Sequence, residues 1–560
     1  MKNFFAKIGS GIKHFFTDES KRIDWLVTII PVVIITGLTI VFMVLPNESN
    51  EALGKVRFFF GDKMGFFYVI FGVLFLFVAV YLAASKVGDV KLGKKDEKPK
   101  YSFFSWGSMM FTCGLAADIL FYSLSEWVMY ASENHLEELS KTGATQTEII
   151  QDWAGVFPLF HWSFIPWAFY LVLAVAFGFM LHVRKRDRQR FSEACSPLLR
   201  KQTRKIGGRI IDLFAAFALL AGTATTFTIA TPLMASIVKT LFHFTIETKY
   251  ITLIILLLTF TVYTVTLLTG FKGINLLAKI CIIMFFGTLI LIFFVSNKGI
   301  YILESGIQSL GKMFQNFIGL ATYTDPLRTS NFPQNWTMYY WAYWMVWCVA
   351  APFFIGNISQ GRTIRQVIVG GFAFGVGSTL VSFIILGGFG MNLQVTGAKD
   401  FVTQYIDSGY DAYGVIIAII GSLPVPELWL VLILLTMIMF YATSFDSIAY
   451  TASCYSYKKL EGDEKPHKLI QLLWCILLIL LPIGLVFAES SINSLQTISI
   501  VSAFPLGLIM IAIVVSFFMD VKKHMLGLNT DGTPEVEEET PPTENEKVAP
   551  IEAEQPIQQE

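Results

Sequence analysis

The feature that most constrains this chain is a recurrence of apolar runs long enough to cross a bilayer. No water is present in a lipid core to satisfy exposed backbone groups, so a spanning segment closes its own hydrogen bonds as a helix of roughly 20 apolar residues. About twelve runs meet that length, near residues 25–45, 64–84, 103–130, 158–182, 210–239, 250–270, 274–297, 335–357, 366–388, 427–456, 469–488 and 493–519. Composition agrees: the chain is 54% hydrophobic and 15% charged, whereas a soluble chain of this length would divide into several domains carrying far more charge. The runs predict an all-α polytopic membrane protein.

The formal net charge is zero, which gives nucleic acid no electrostatic purchase. Its placement is uneven. Lys2, Lys7, Lys13, Lys21 and Arg22 precede the first run, and Lys86 to Lys100 fill the second loop. Arg184 to Lys205 fill the fourth, Arg362 and Arg365 follow the eighth run, and Lys458 to Lys468 follow the tenth. Positive residues stay on the cytoplasmic side, so this alternation predicts a multi-pass protein of the plasma (inner) membrane, in contact with its lipids, with both termini cytoplasmic. Residues 25–45 are too long for a removable signal and are expected as a retained helix. The six cysteines have no paired spacing, and neither a disulfide framework nor a zinc site is expected. Phe4, Phe5, Ile8, Ile12, Phe15 and Phe16 among lysines predict a helix lying on the membrane surface. From about 525 the chain is rich in Glu, Pro and Thr, a composition that buries no core and predicts disorder.

Transport sites are best sought where hydrophobic helices are interrupted. The third run holds Cys113-Gly114-Leu115-Ala116-Ala117-Asp118 and then Glu126; the eighth holds Ala350-Ala351-Pro352 and Gly356-Asn357. They stand five runs apart, as two five-helix halves of inverted topology would place them. The plainer reading is that Gly and Pro are simply commoner in membrane helices.

Aromatic residues crowd two runs. The fourth reads Phe160-His161-Trp162 through Trp167-Ala168-Phe169-Tyr170, and the eighth reads Trp336 through Trp347. Tyr340, Tyr343, Trp344 and Trp347 recur at spacings of three and four, which sets them on one helix face. Trp336 suits an interfacial belt; Trp344 and Trp347 lie nearer mid-span. A cage of ring faces fits a quaternary ammonium, which has charge but no N–H to donate, at roughly 0.5–2 kcal/mol per desolvated ring. A plain core stripe is the alternative.

At these residues the chain resembles the betaine/choline/carnitine transporters. The eighth-run signature is Asn335-Trp336-Thr337-Met338-Tyr339-Tyr340-Trp341-Ala342-Tyr343-Trp344, continuing through Pro352 to Ile358-Ser359-Gln360-Gly361-Arg362-Thr363-Ile364-Arg365. Phe160-His161-Trp162 to Tyr170 also matches, as does Phe121-Tyr122 to Glu126, and the likeness runs from about residue 20 to 523. The resemblance implies about twelve transmembrane helices, with an inverted-repeat (LeuT-like) ten-helix core, two extra N-terminal helices and assembly as a homotrimer. It divides the chain into an amphipathic cytoplasmic N-terminus at 1–24, two peripheral helices and their loop at 25–102, and a first five-helix repeat at 103–297. An extracellular-side connection at 298–334, a second repeat at 335–520 and a disordered acidic tail at 521–560 complete it. By position it places Trp162, Trp167, Tyr170, Tyr343, Trp344 and Trp347 around the substrate ammonium of choline, glycine betaine or carnitine. Tyr343 stands where the family commonly has Trp.

Coupling rests on four further residues, with a proton or sodium gradient as the driving force and no cofactor. Asp118 occupies a place where similar sodium-coupled members have glycine, and members with an acid there are associated with proton coupling. An acid at a helix centre costs roughly 2.5–3.5 kcal/mol on insertion scales, so it faces a cavity or a partner; a structural hydrogen-bond role is the alternative. Lys279, where the family often has Asn or Asp, either stands in for a sodium ion or snorkels to the headgroups. Thr443 and Ser444, in Thr443-Ser444-Phe445-Asp446-Ser447, match the segment whose hydroxyls ligate sodium, a segment that proton-coupled members also keep. The balance favours proton coupling or sodium-independent exchange over sodium symport.

Other functions find less support. The seven histidines are scattered, and His161, well inside a run, has no second His or Cys at ligand spacing, so no enzyme is expected. A Walker A pattern is absent from the sequence, and no repeated selectivity segment suggests a channel. A transport-dead sensor remains the remote alternative. The tail is acidic, unlike the basic tail of osmosensing relatives.

Overall fold

The computed structural model describes residues 20–113, 117–186, 188–269, 274–460, 465–489 and 492–535. The surface helix expected before residue 20, the break at 114–116, Gly273 and the tail beyond 535 lie outside the described residues. Among the described residues the chain is helical, with isolated bridges but no strand. Every apolar run is a helix: α1 (Trp25–Val44), α2 (Gly65–Ala84), α3 (Phe103–Cys113) followed by α4 (Ala117–Ala131), α5 (Phe164–Gly178), α6 (Ile206–Phe242), α7 (Thr248–Thr269) and α8 (Ile274–Val295). After α9 (Gly299–Thr322) come α10 (Met338–Trp347), α11 (Ala351–Ile358), the helical stretch α12 (Ile364–Val395), α13 (Pro426–Cys454), α14 (Lys468–Phe487) and α15 (Ile492–Met525).

Among the described residues eight helices are long and apolar enough to cross a membrane singly. Three more candidates are bent pairs: α3 with α4 at 62°, α8 with α9 at 112°, and the helix ending in α10 with α11 at 56°. Two of these bends fall at the interruptions read from sequence. Pro352 near the start of α11 explains one, since proline both lacks the amide donor and clashes with the preceding turn.

The 112° bend separates α9 from the span before it. The sequence places only a connection there, yet α9 is a 24-residue helix. Glu304, Gln308, Lys312, Gln315 and Asn316 interleave with its apolar residues and hide it from a criterion based on uncharged length. It buries Ile302, Gly306 and Met313 and sets Phe314 and Phe317 against Phe164 and Phe160.

Burial sorts the helices by depth. Every residue of α4, and every residue of α5 from Ile165 on, is buried, so these two form the centre of the bundle. α5 lies close along α11, where a Cβ on Gly356 would come 2.8 Å from the backbone of Ala174 and Gly178; the rings of Phe177 and Phe353 stack 3.8 Å apart. At the periphery Val33, Phe77, Ile283 and Phe294 point outward, the apolar exterior that lipid requires.

The arginine-rich loop is more than an orientation signal. Arg190 is buried and donates to Asp212 at 2.8 Å and to the carbonyls of Tyr455 and Tyr457, while Arg188 donates to Glu193 at 2.7 Å. Arg184 pairs with Asp520 at 3.0 Å and with Glu535 at 2.6 Å. Residues 521–535, counted with the tail on composition, thus finish α15 and fold back onto the end of the bundle.

Candidate substrate site

α4 and α5 meet α10 at the centre, and these helices carry most of the residues that the sequence singles out. Trp344 is the hub. Its ring centre lies 5.4 Å from Trp162 with planes 74° apart, 6.2 Å from Trp167, and 5.0 Å from Tyr170 with planes 60° apart. Trp167 and Tyr170, three apart on α5, share a face and stand 5.8 Å from each other. Trp162 reaches the cluster because the chain breaks at Ser163, whose backbone is non-helical, just before α5 begins. Steeply inclined rings present faces as walls instead of stacking flat. Neighbouring walls lie within ring-contact distance of one another.

α12 backs these walls. Its π-helical turns at Gly371–Val376 and Phe383–Gly387 bring Phe383 to 5.1 Å from Trp162 and lay Gly375 against Trp167. Local π turns recur where a helix re-aims side chains at a site.

Two of the six expected box residues lie elsewhere. Tyr343 stacks on Tyr339 at 5.5 Å, and its hydroxyl donates to the carboxylate of Asp118 while lying 2.6 Å from the Thr226 hydroxyl on α6. Trp347 is half-buried and packs on Gly222 of α6. Tyr340, from the same stripe, joins the box side instead, 5.9 Å from Trp162 and 5.7 Å from Tyr122. The α10 stripe is therefore split between a box face and a face turned to Asp118. Trp336, expected in an interfacial belt, is buried and donates to Glu133 at 2.8 Å.

The coupling candidates are similarly dispersed. Asp118 is buried in the first turn of α4, beside the break. Lys279 is exposed on α8. Thr443 donates to the carbonyl of Met439 in its own helix at 2.9 Å, and Ser444 is half-buried. The following Phe445 stacks between Phe227 at 4.0 Å and Tyr263 at 4.1 Å, tying α13 to α6 and α7.

Sequence reasoning passes over one group as a site: the surroundings of Glu126. Its carboxylate is fully buried and accepts from the Tyr130 hydroxyl at 2.9 Å and from the Trp162 indole at 3.3 Å. Tyr130 is also 2.8 Å from His161 Nδ1, whose other ring nitrogen is 3.0 Å from the Thr337 hydroxyl. Glu126 thus anchors one wall of the box. The available signal was Glu126 four residues before Tyr130, with a histidine directly before Trp162. Among the described residues no group of three or more His, Cys, Asp or Glu could hold a metal ion.

A bundle of apolar helices, bent at its centre around converging aromatic walls and a buried acid, defines a polytopic membrane transporter. Comparison with known proteins agrees. The model of the betaine/carnitine/choline family transporters matches residues 26–526, and the chain belongs to that family. It is 27% identical over 474 residues to a probable glycine betaine transporter of Desulfitobacterium hafniense, covering 83% of this chain and 91% of that one. It is 26% identical over 500 residues to the glycine betaine transporter OpuD of Bacillus subtilis, covering 88% and 94%. The uncharacterized transporter YeaV of Escherichia coli is 26% identical over 484 residues, covering 83% and 96%.

Proposed function

We propose that this protein is a secondary active transporter of a quaternary-ammonium compound such as choline, glycine betaine or carnitine, driven by protons or working without sodium. The observation that carries the reading is the convergence of Trp162, Trp167, Tyr170 and Trp344, with inclined ring planes and centres 5.0–6.2 Å apart where neighbours touch. Such walls recognise a trimethylammonium group through its charge without needing a donor from it. The glycine betaine transporters among the relatives support the same substrate class.

Asp118 supports the proton reading. A buried carboxyl in a bilayer is costly unless a partner or a function holds it, and its described side-chain partner is a hydroxyl, Tyr343. The exposure of Lys279 supports snorkelling to headgroups over a stand-in for sodium. The paired bends at α3–α4 and α10–α11 support the inverted repeat, and the alternating Lys and Arg support an inner-membrane protein with cytoplasmic termini; trimer assembly rests on family likeness. The test is uptake of labelled choline, glycine betaine and carnitine into proteoliposomes under separately imposed pH and sodium gradients, and against preloaded substrate. Uptake driven by the pH gradient is expected. A strict sodium requirement would transfer the ion-binding role to Thr443 and Ser444, accumulation only against preloaded substrate would make the protein an antiporter, and no uptake of any of the three would overturn the substrate class.

A further inference from the structure

The side of α4 that meets α10 carries a series of ionisable and hydroxyl groups at near-regular intervals: Asp118, Tyr122, Glu126, Tyr130 and then Glu133. Spacings of four set the first four one above another along the helix, and Glu133 stands in the turn just past its end at Ala131. Each has a described partner across the interface. Asp118 meets the Tyr343 hydroxyl, Tyr122 the Tyr339 hydroxyl at 2.8 Å, Glu126 the Trp162 indole, Tyr130 the His161 ring, and Glu133 the Trp336 indole. All but the last pair lie in the buried centre. Glu133 lines a cavity of about 780 Å³ at the end of the bundle that the arginine distribution assigns to the outside. Trp336, Tyr405, Tyr410 and Asp411 share that lining.

A core helix has no structural need for a polar group at every turn. Buried polar groups cost free energy even when paired, and a hydrophobic seam would pack at least as well. Chains of Asp, Glu and His within membrane helices are what proton relays are made of. We infer that this stripe is the path by which protons travel between the outer cavity and Asp118, with Glu133 at its mouth and Glu126 with His161 as the internal station. The inference rests on the proton-coupled reading proposed above.

The chemistry balances without any further reactant. A proton from outside water enters at Glu133, passes through the Tyr130, His161 and Glu126 group and the Tyr122–Tyr339 hydroxyl pair, and ends on the Asp118 carboxylate; release to the inside restores the anion. The stripe groups within α4 stand one helical turn apart, about 5.4 Å, a step that one interposed water would bridge. The groups facing the terminal acid are Tyr343 and Tyr339 on α10, Tyr122 on its own helix, Tyr170 on α5 and Tyr441 on α13. Those facing Glu126 are Tyr130, Tyr339 and Tyr340, with His161 behind Tyr130 and Arg57 beyond Tyr339. At the mouth, burial pushes the Glu133 carboxyl above its ordinary value, against the Trp336 N–H that pulls it down. Tyr405 faces it, and Tyr410, Asp411, Lys249 and Glu489 line the same cavity.

The experiment uses the full chain in proteoliposomes loaded with a pH-sensitive dye, with labelled choline and glycine betaine as probes. Two rates are read for each variant: uptake driven by an imposed pH gradient, and exchange against preloaded substrate, which needs no net proton movement. The variants are Glu126→Gln, which keeps an acceptor for Tyr130 and Trp162 but carries no titratable proton, and Tyr339→Phe, which keeps the ring and deletes the linking hydroxyl. The ratio of driven uptake to exchange is expected to fall at least tenfold in both, with a matching loss of substrate-driven dye response. A ratio that stays within twofold of the unaltered protein, whether both rates hold or both fall together, overturns the path and leaves these groups a packing role. If the unaltered protein shows no pH-gradient drive, the coupling reading itself fails and the path falls with it, an outcome distinguishable because no variant is then needed.

Discussion

Gly375 offers the sharpest test of the aromatic box. It lies in a π-helical turn of α12 with the six-membered ring of Trp167 directly over it, so that a Cβ there would stand 2.3 Å from the ring carbons. Carbon atoms in contact sit at 3.5–4.0 Å, so a methyl group at this position drives the ring back by more than about 1 Å. Trp167 is fully buried, with Tyr170 at 5.8 Å and Trp344 at 6.2 Å, so its retreat is into the box. Overpacking of this kind costs about 1–3 kcal/mol. Expressed in binding, that is a rise of about 5- to 150-fold in the concentration giving half-maximal exchange. The control is Gly377→Ala two residues on, where nothing lies within 4 Å of the added carbon. Both changes bring the same gain in helix propensity, about 1 kcal/mol, so the comparison isolates the push on Trp167. Half-saturation for labelled choline and glycine betaine exchange in proteoliposomes is the readout, with thermal stability alongside. If Gly375→Ala and Gly377→Ala agree within twofold, Trp167 is not a wall of the site.

Three further outcomes follow from the geometry. Trp344→Leu deletes a π-face while keeping bulk, so half-saturation should rise by up to about 30-fold, the equivalent of 2 kcal/mol, whereas Trp344→Phe should stay within a few-fold; equal effects would make Trp344 packing alone. Asp118→Gly should abolish uptake driven by the pH gradient, and Asp118→Ala with Tyr343→Phe should be non-additive by about 1–3 kcal/mol in transport free energy, since each removes the partner of the other; additivity within about 0.5 kcal/mol would separate them. At the cytoplasmic end, burial would raise the Glu535 carboxyl, but the hydrogen bonds and charges of His524 and Arg184 outweigh it and hold it below its ordinary value. A depressed carboxyl lends stability that is present above the unfolded value, about 4.3, and lost as pH falls through the folded value. Hydrogen exchange of residues 526–535 should therefore be slow at neutral pH and accelerate on acidification below about 4, and Glu535→Gln should remove that step.

The sequence shows some of this directly and hides the rest for physical reasons. Span existence is legible because lipid permits so few backbone solutions that apolar length alone announces a helix, and every run from Trp25 to Met525 is one. Helix α9 is not announced this way: it carries Glu304, which is exposed, and Lys312, which pairs with Asp152 at 2.8 Å, so its uncharged length is short. Within the site, residues on one helix at spacings of three and four were legible as neighbours, which is why Trp167 and Tyr170 meet. The split of the α10 stripe was not, because Tyr343 and Trp344 are 100° apart on the helix, and only the neighbouring helices decide which of them meets Trp162 and which meets Asp118. Glu126 illustrates the same limit. Its partner Trp162 comes from a different run, as does the His161 that meets Tyr130, and a carboxylate's acceptor role cannot be read until the donor is placed.

Asp118, where similar sodium-coupled members have glycine, and Tyr343, where the family commonly has tryptophan, are put in contact by the structure. Glycine and tryptophan there would leave no hydrogen bond to make; an acid and a phenol make one. The pair also changes what a proton can do. An ionised Asp118 only accepts, so the Tyr343 hydroxyl must donate to it and accept from Thr226. A protonated Asp118 has a donor of its own, and with that donor directed at the phenol oxygen the Tyr343 hydroxyl is free to donate to Thr226 instead. One proton arriving on α4 thereby reverses the hydrogen-bond direction through α10 to α6, the helix whose Gly222 supports Trp347. On the proton-coupled reading proposed above, and in a low-dielectric interior where such bonds polarise one another, that reversal would link the protonation state of one buried acid to three helices around the box.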